Sequence, residues 1–268
     1  MMNALCLASV ILLGVLGGAP LKELPLKPPK HGGVYVVAHR GAHQGVPENT
    51  VAAYQKAIDL GCDFVEIDLR TTKDGRFVSI HNDTVDAYTK DAKGRVRDFT
   101  LEELRALDIG SRVGLEWQGA KIPTFEEILE LCKGKIGIYL DLKRGPVDEL
   151  AELIKAHRME HEVLWYIGAG QIQQLRKVCP ECIEMPDPGP VLFLPQLLES
   201  VKPRVIAAVW RYYSESFVEK CHAAGAIVIV DESEPDCWQD ALAWGSDGIQ
   251  TDHPAKLIRF LEERAKAE

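Results

Sequence analysis

Short apolar runs alternate with helix-like segments from residue 34 onward. The strand-like runs lie at 34–38, 64–69, 77–81, 135–140, 163–167, near 183, and at 204–209, 226–230 and 248–250. The helix-like segments lie at 50–60, 101–107, 124–132, 147–157, 171–178, 192–200, 214–224, 237–244 and from 254 onward. This alternation predicts parallel strands joined by helical crossovers.

Local signals mark several element ends. Asn49 is a candidate N-cap for the first helix. Thr100, with Glu103 three residues later, has the spacing of a capping box. A turn at 73–75 joins the second and third strands, whereas the connection at 82–123 is longer than usual.

The chain has 268 residues, a length that fits one α/β barrel or two small domains. Residues 33–268 contain no internal repeat, low-complexity tract or linker, so one domain is the simplest interpretation. A (β/α)₈ TIM barrel has eight strand positions for nine strand-like runs. We therefore expect one late run, near Ile183 or Val205, to lie off the barrel.

The first 19 residues differ from the rest of the chain. An apolar run at 4–18 is too short for a comfortable membrane span but suits a secretory signal. No Lys or Arg precedes it, which leaves an uncleaved anchor or a mis-assigned start as alternatives. We expect residues 1–19 to be a signal or anchor and 20–32 a linker. The expected location is secreted, periplasmic or envelope-facing, with membrane contact only through this segment.

The formal net charge is -9 and the sequence pI is about 5.5. A negative field repels phosphate polymers, so nucleic acid is not an expected partner. A small anionic substrate would need a local cation to hold it.

Six cysteines follow residue 19, a density far below that of disulfide-scaffolded domains. Their even number is compatible with disulfides after export, and Cys179 and Cys182 form a CxxC, which is also a zinc or redox spacing. No second CxxC or His pair accompanies it.

Polar side chains lie at the ends of the first four strands, where a parallel barrel places its active site. They are His39, Arg40, Glu66, Asp68, His81, Asp141 and Lys143. Each residue alone is a weak signal, but their recurrence on successive strands favours a functional site.

Glu66 and Asp68 are two residues apart on one strand, so both carboxylates point to the same side. Packed inside a barrel they would repel unless a cation neutralised them, and Asp141 is a candidate third ligand. An all-carboxylate site favours a hard divalent ion such as Ca²⁺ or Mg²⁺. The alternative is a structural ion network with Arg40, Arg70 or Lys143.

A cation beside His39 and His81 suits phosphoester cleavage. One imidazole can accept a proton from the attacking oxygen while the other protonates the leaving alkoxide. Arg40 and Lys143 would neutralise charge on the phosphate oxygens. No serine elbow, P-loop or Rossmann fingerprint lies at a suitable junction.

These residues resemble the glycerophosphodiester phosphodiesterase family. HRG at 39–41 followed by PENT at 47–50 is similar to its opening signature, and EIDL at 66–69 resembles its metal-binding strand. DG at 74–75 leading to His81, and GIQTDHP at 248–254, resemble later segments.

The resemblance implies a TIM barrel with a small insertion after the third strand, at about 84–122. It implies hydrolysis of a small-molecule glycerophosphodiester to glycerol 3-phosphate and an alcohol. Glu66, Asp68 and Asp141 would hold one divalent cation, Ca²⁺ or Mg²⁺. His39 and His81 would be catalytic, and Arg40 and Lys143 would bind substrate.

The chain departs from the family pattern at several positions. Asn82 stands where an Asp usually follows the second histidine, and Asp83 is a candidate substitute. Ala87 stands where an Arg is frequent, and Asp141 replaces a commoner Glu. Two alternatives stay open: a lysophospholipase D or sphingomyelinase D-like enzyme on the same barrel, and a non-catalytic phosphodiester-binding protein.

Overall fold

Nine strands and nine α-helices succeed one another in the computed structural model, which describes residues 24–231 and 234–267. The strands are β1 Tyr35–Ala38, β2 Phe64–Thr71, β3 Phe77–Ser79, β4 Gly137–Leu142, β5 Val163–Tyr166, β6 Ile183–Glu184, β7 Val205–Val209, β8 Ile227–Asp231 and β9 Gly248–Thr251. The helices are α1 Val51–Asp59, α2 Leu101–Ala106, α3 Phe125–Cys132, α4 Val147–His157, α5 Ala169–Val178, α6 Leu194–Ser200, α7 Glu215–Ala223, α8 Trp238–Ala243 and α9 Pro254–Ala267.

Eight of the strands form a parallel sheet in the order β6-β5-β4-β2-β1-β9-β8-β7. The two outermost strands also approach each other, because the Ala207 N–H donates to the Pro186 carbonyl at 3.1 Å. The sheet is thus a nearly closed barrel surrounded by helices. The predicted TIM barrel is confirmed.

The one strand that lies outside this parallel sheet among the described residues is β3. It pairs antiparallel with the end of β2, with Leu69 opposite Ser79 and Thr71 opposite Phe77. The turn between β2 and β3 is too short for the helical crossover that a parallel neighbour requires. The expectation that a run near Ile183 or Val205 leaves the barrel was wrong, since both runs are barrel strands.

The barrel interior is apolar toward the amino ends of its strands. Tyr35, Val37, Phe64 and Tyr139 belong to this inner cluster, and a larger apolar cluster fills the space between sheet and helices. Residues two apart on a strand face the same side. The residues that continue the inner faces of β1, β2 and β4 therefore line the carboxyl-end opening, here called the mouth.

The segment before β1 packs against the opposite, amino end of the barrel. Leu24 and Leu26 contact the inner cluster. The backbone N–H of Lys30 donates to Asp63 Oδ1 at 3.0 Å, and the Tyr35 hydroxyl donates to the Lys27 carbonyl at 3.0 Å. This segment therefore covers the barrel floor.

The long connection from β3 to α3 has a small apolar cluster of its own. The members are Val78, Ile80, Val85, Tyr88, Val96, Leu104, Leu107, Ile109 and Ile122. The capping box of Thr100 and Glu103 is confirmed at the start of α2. Trp117 Nε1 donates to the Gly45 carbonyl at 2.8 Å, which ties this connection to the loop after β1.

No helix in residues 24–231 or 234–267 is both long and apolar enough to cross a bilayer. The segment 1–19, predicted as a signal or anchor, lies outside the described residues.

Candidate active site

The loop from β1 to α1 brings its backbone close to β2. Arg40 and Gly41 adopt positive φ angles of 53° and 81°. A Cβ on Gly41 would lie 2.7 Å from the Cβ of Ala53, so only glycine fits against α1 there. The turn aims the Arg40 N–H at Glu66 Oε2, at 2.7 Å.

Asn49 links this loop to β2 instead of capping α1. Its φ is 53°, and its Nδ2 donates to Asp68 Oδ2 at 2.7 Å. Its Oδ1 accepts from the hydroxyls of Tyr54 and Ser79, both at 2.8 Å. The predicted Asn49 cap was wrong, because Thr50 caps the helix by accepting from the Ala53 N–H.

Three carboxylates converge at the mouth. Glu66 and Asp68 continue the inner face of β2 beyond Phe64, and Asp68 lies opposite Asp141 in the β2–β4 register. One oxygen from each lies within 4.8 Å of the others. Oxygens on opposite sides of a cation bound at about 2.0–2.6 Å are separated by about 4–5 Å. The donor set therefore fits one hard divalent ion.

The electrostatics of this triad favour a cation. Glu66 and Asp68 are 2% and 1% exposed. Burial, followed by repulsion from Asp68 and Asp141, raises the pKa of Glu66 well above its usual range. Burial also raises the pKa of Asp141, although the Lys143 ammonium opposes that shift. A bound divalent ion would reverse both effects by stabilising the ionised forms.

Only part of the alternative ion network is present. Lys143 Nζ lies 2.5 Å from Asp141 Oδ2 and 3.2 Å from Asp68 Oδ1. Arg40 Nε lies 3.7 Å from Asp68 Oδ2. Arg70 instead donates to the Ile80 and His81 carbonyls. Among the described residues, Lys143 therefore pairs with two carboxylates of the triad and Arg40 with one.

Arg40 keeps a hydrogen-bond donor available in the site. Its Nη1 pairs with Glu48 Oε1 at 3.3 Å, and the Tyr88 hydroxyl donates to the same oxygen at 3.2 Å. Its Nε is buried and has no hydrogen-bond partner among the described residues. A buried guanidinium N–H without an acceptor is suited to receive an anion.

His39 is held by a carboxylate from the last strand. His39 continues the inner face of β1 and Asp252 that of β9. His39 Nδ1 lies 2.6 Å from Asp252 Oδ1, and His43 Nε2 lies 3.0 Å from the same oxygen. The hydrogen bonds from His39 and His43 hold the pKa of Asp252 well below its usual range.

His81 has a neutral partner. Its Nδ1 lies 2.9 Å from Asn82 Oδ1. The expectation that Asp83 substitutes for the family's aspartate was wrong, because Asp83 pairs with Arg70 and Arg95. His81 is close enough to Asp141 for its charge to lower the pKa of that carboxyl. His81 thus adjoins the carboxylate triad, whereas His39 is next in sequence to Arg40, whose N–H binds Glu66.

Several polar residues that the sequence pattern did not single out line the far side of the mouth. The Tyr139 hydroxyl donates to Asp231 Oδ2 at 2.7 Å, and the Tyr166 hydroxyl donates to Asp187 Oδ2 at 3.0 Å. The period of two could have identified Asp231, since it follows the inward-facing Ile229 by two positions.

The fold and these side chains define an α/β-barrel enzyme with paired histidines and clustered carboxylates at its mouth. The glycerophosphoryl diester phosphodiesterase family model matches residues 39–179, and the chain belongs to that family. A glycerophosphodiester phosphodiesterase of Caldanaerobacter subterraneus is 34% identical over 249 residues, which cover 85% of this chain and 98% of the relative.

Solved structures of family members have the same barrel. A glycerophosphodiester phosphodiesterase from Agrobacterium tumefaciens matches with a TM-score of 0.73 and 25% identity, over 84% of this chain and 99% of that one. An Oleispira antarctica phosphodiesterase in complex with the product sn-glycerol-3-phosphate matches with a TM-score of 0.73 and 26% identity, over 85% and 96% of the two chains.

Proposed function

We propose that the chain hydrolyses glycerophosphodiesters to glycerol 3-phosphate and an alcohol, using one divalent cation, Ca²⁺ or Mg²⁺. The observation that carries this proposal is the convergence of three carboxylates beside two histidines with separate hydrogen-bond partners. The product bound to the Oleispira antarctica relative agrees with the substrate class.

Glu66, Asp68 and Asp141 would hold the cation through one oxygen each. A bound cation would neutralise charge on the phosphate oxygens and lower the pKa of an attacking hydroxyl. Asn49 orients Asp68, and the Arg40 N–H orients Glu66, so both ligands are fixed before substrate arrives.

Arg40 and Lys143 would bind the phosphate. Arg40 Nε, which makes no hydrogen bond and lies 3.7 Å from Asp68, can donate to one non-bridging oxygen. The Lys143 ammonium, already beside two carboxylates, can turn one of its three N–H groups toward another. Together they supply positive charge where the transition state gains negative charge.

The two histidines differ in ways that suggest their roles. The Asp252 carboxylate accepts a hydrogen bond from His39 Nδ1, which leaves Nε2 free to accept a proton. Asn82 places a neutral amide, in place of a carboxylate, at Nδ1 of His81. His39 would take the proton from the attacking oxygen. His81 would protonate the leaving oxygen as its bond to phosphorus breaks.

Replacement of either histidine tests these roles. His39→Ala and His81→Ala should each lower kcat on glycerophosphocholine by about 10²–10⁴-fold, the usual contribution of a general acid or base. His161→Ala, an exposed histidine between α4 and β5, is the matched control and should keep full activity. Near-normal turnover in either site variant, with the fold retained, would reject the roles assigned.

A second candidate function is cleavage of lysophospholipids, and exposed apolar side chains favour it. Leu115 is 82% exposed in the connection that Trp117 ties to the mouth loop. Leu192 and Phe193 are 73% and 49% exposed in the loop that follows the carboxyl end of β6. An acyl chain or lipid aggregate could cover these side chains.

Substrate comparison separates the two candidates. If lysophosphatidylcholine is the substrate, Leu115→Asp should lower its turnover about tenfold or more, since burying a leucine is worth about 1.5–3 kcal/mol. The same variant should leave glycerophosphocholine turnover unchanged. Equal turnover of lysophosphatidylcholine by the variant and the parent would rule out a lipid-binding role for Leu115.

A further inference from the structure

Two imidazoles and one carboxylate meet at the mouth on the side away from β4. His39 Nδ1 and His43 Nε2 both lie within hydrogen-bond distance of Asp252 Oδ1. The two rings are nearly perpendicular, at 77°, with their centroids 6.4 Å apart. Two elements supply the three side chains: the loop after β1 and the end of β9.

We propose that His39, His43 and Asp252 form a second cation site, selective for ions of borderline softness such as Zn²⁺. Binding of such an ion at this site inactivates the enzyme. The site's effect on activity rests on the proposed function, whereas its metal binding does not. Among residues 24–231 and 234–267, the carboxylate triad and this group are the two sets of three ligand-type side chains with donor atoms within 4.8 Å.

The donor chemistry separates the two sites. Glu66, Asp68 and Asp141 offer oxygen alone and suit hard cations. Two imidazole nitrogens and one carboxylate oxygen suit Zn²⁺ and other divalent ions late in the first transition row. Zn²⁺ binds nitrogen at about 2.0–2.1 Å. Tetrahedral ligands at that distance lie about 3.3 Å apart. The donor atoms here, at 2.6 and 3.0 Å from the shared oxygen, need to separate only slightly.

The group also has an open approach. The side chains of His39, His43 and Asp252 are 21%, 19% and 36% exposed, so an ion can enter from the mouth and keep a water as a fourth ligand. His222 shows the contrast. It pairs with Asp247 at 2.8 Å at the other end of β9, and no second imidazole joins that pair among the described residues.

Metal binding at this group would change the tautomer of His39. In the hydrogen-bonded state His39 Nδ1 carries the proton and donates a hydrogen bond to Asp252, and Nε2 has the free lone pair. A metal takes the Nδ1 lone pair, so the ring proton moves to Nε2. An imidazole in that form cannot accept a proton from the attacking oxygen. Zinc would therefore inhibit without displacing the cation from the carboxylate triad.

The experiment titrates Zn²⁺ and Co²⁺ into the protein at saturating Mg²⁺. Inhibition by Zn²⁺ is expressed relative to each variant's own uninhibited rate, and Co²⁺ binding is followed by its visible absorption. His43→Gln should weaken both effects at least about tenfold, since loss of even an indirect contact to a metal costs 10–100-fold in affinity. His222→Gln is the matched control. Far-UV circular dichroism establishes whether each variant retains the fold. His43→Ala is a second variant that should weaken both effects as His43→Gln does.

Each result has a defined meaning. Unchanged inhibition and Co²⁺ absorption in both His43 variants would overturn the proposal. Relief of inhibition by raised Mg²⁺ would also overturn it, because zinc would then act at the carboxylate triad. If Co²⁺ binding depends on His43 but the parent protein cleaves no phosphodiester, the second cation site stands and the proposed function fails.

Discussion

Asp252 gives His39 a fixed orientation and a negative neighbour. Because its own pKa is held well below the usual range, the carboxylate stays ionised throughout the range in which an imidazole titrates. His81 has only an amide beside it. The two histidines are thus distinguished by one charge, which is the physical basis for assigning them opposite steps of proton transfer.

Replacing Asp252 by Asn should therefore act on turnover more than on binding. The amide keeps the size of the side chain but removes the negative charge beside His39. We expect kcat to fall at least about tenfold, less than the roughly 10²–10⁴-fold that loss of the general base itself would cost, with little change in KM. Steady-state kinetics on glycerophosphocholine measure both constants.

Asp247→Asn supplies the matched control. Asp247 makes a comparable contact to His222 at the amino end of the same strand, far from the mouth. It should leave kcat unchanged. An equal loss of kcat in both variants would mean that Asp252 acts through stability alone.

At the scale of elements, helix α3 connects the insertion to the barrel wall. Its N-cap Thr124 accepts from the Glu127 N–H, and Glu127 accepts from the Thr124 N–H in return. Thr124→Ala removes one half of this capping box. We expect the free energy of unfolding to fall by about 1 kcal/mol. Thr124→Ser keeps the hydroxyl and should recover most of the loss in urea unfolding.

Periodicity predicted elements of this kind well, because capping residues and apolar spacing act within a few residues. The position of β3 was also within reach of local signals, because the short turn at 73–75 already requires an antiparallel partner for β2. Local signals could not separate Asn49 from Thr50, since both are good cap residues and only tertiary contacts with Asp68 decide between them.

The site residues also divide into those that local spacing predicts and those that depend on tertiary contacts. The spacing of Glu66 and Asp68 was enough to predict two carboxylates on one inner face. Asp252 and Asp231 were missed as site residues, because their role depends on which strands become neighbours when the barrel closes. That neighbourhood is set by contacts far apart in sequence.

For the whole molecule, the triad concentrates an existing excess of negative charge. The chain has a net charge of -9, and its most buried carboxylates, Glu66 and Asp68, lie side by side. The folded state without a cation therefore carries an unfavourable charge cluster, which Lys143, Arg40 and His81 offset in part. Under the proposed function, catalysis and stability are linked, since the ion that would serve the reaction would also relieve this repulsion.

Removal of the divalent cation should consequently lower stability in a pH-dependent way. At a concentration of 100 times its Kd, a cation that binds only the folded state stabilises it by about 2.7 kcal/mol. For a chain of this size that corresponds to about 5–10 °C in Tm relative to EDTA. Thermal unfolding with and without Mg²⁺ or Ca²⁺ measures the difference.

The pH dependence follows from the raised pKa of Glu66. In EDTA the folded state holds this proton more tightly than the unfolded state does. Stability should therefore rise as pH falls from the raised folded pKa toward the ordinary value near 4.5. Glu66→Gln should remove that contribution, unfold at a higher temperature than the parent in EDTA above neutral pH, and lose the response to cation. Glu162→Gln, at the amino end of the barrel, is the matched control and should keep the response to cation. A Glu66→Gln protein that is still stabilised by Mg²⁺ or Ca²⁺ as strongly as the parent would place the cation elsewhere.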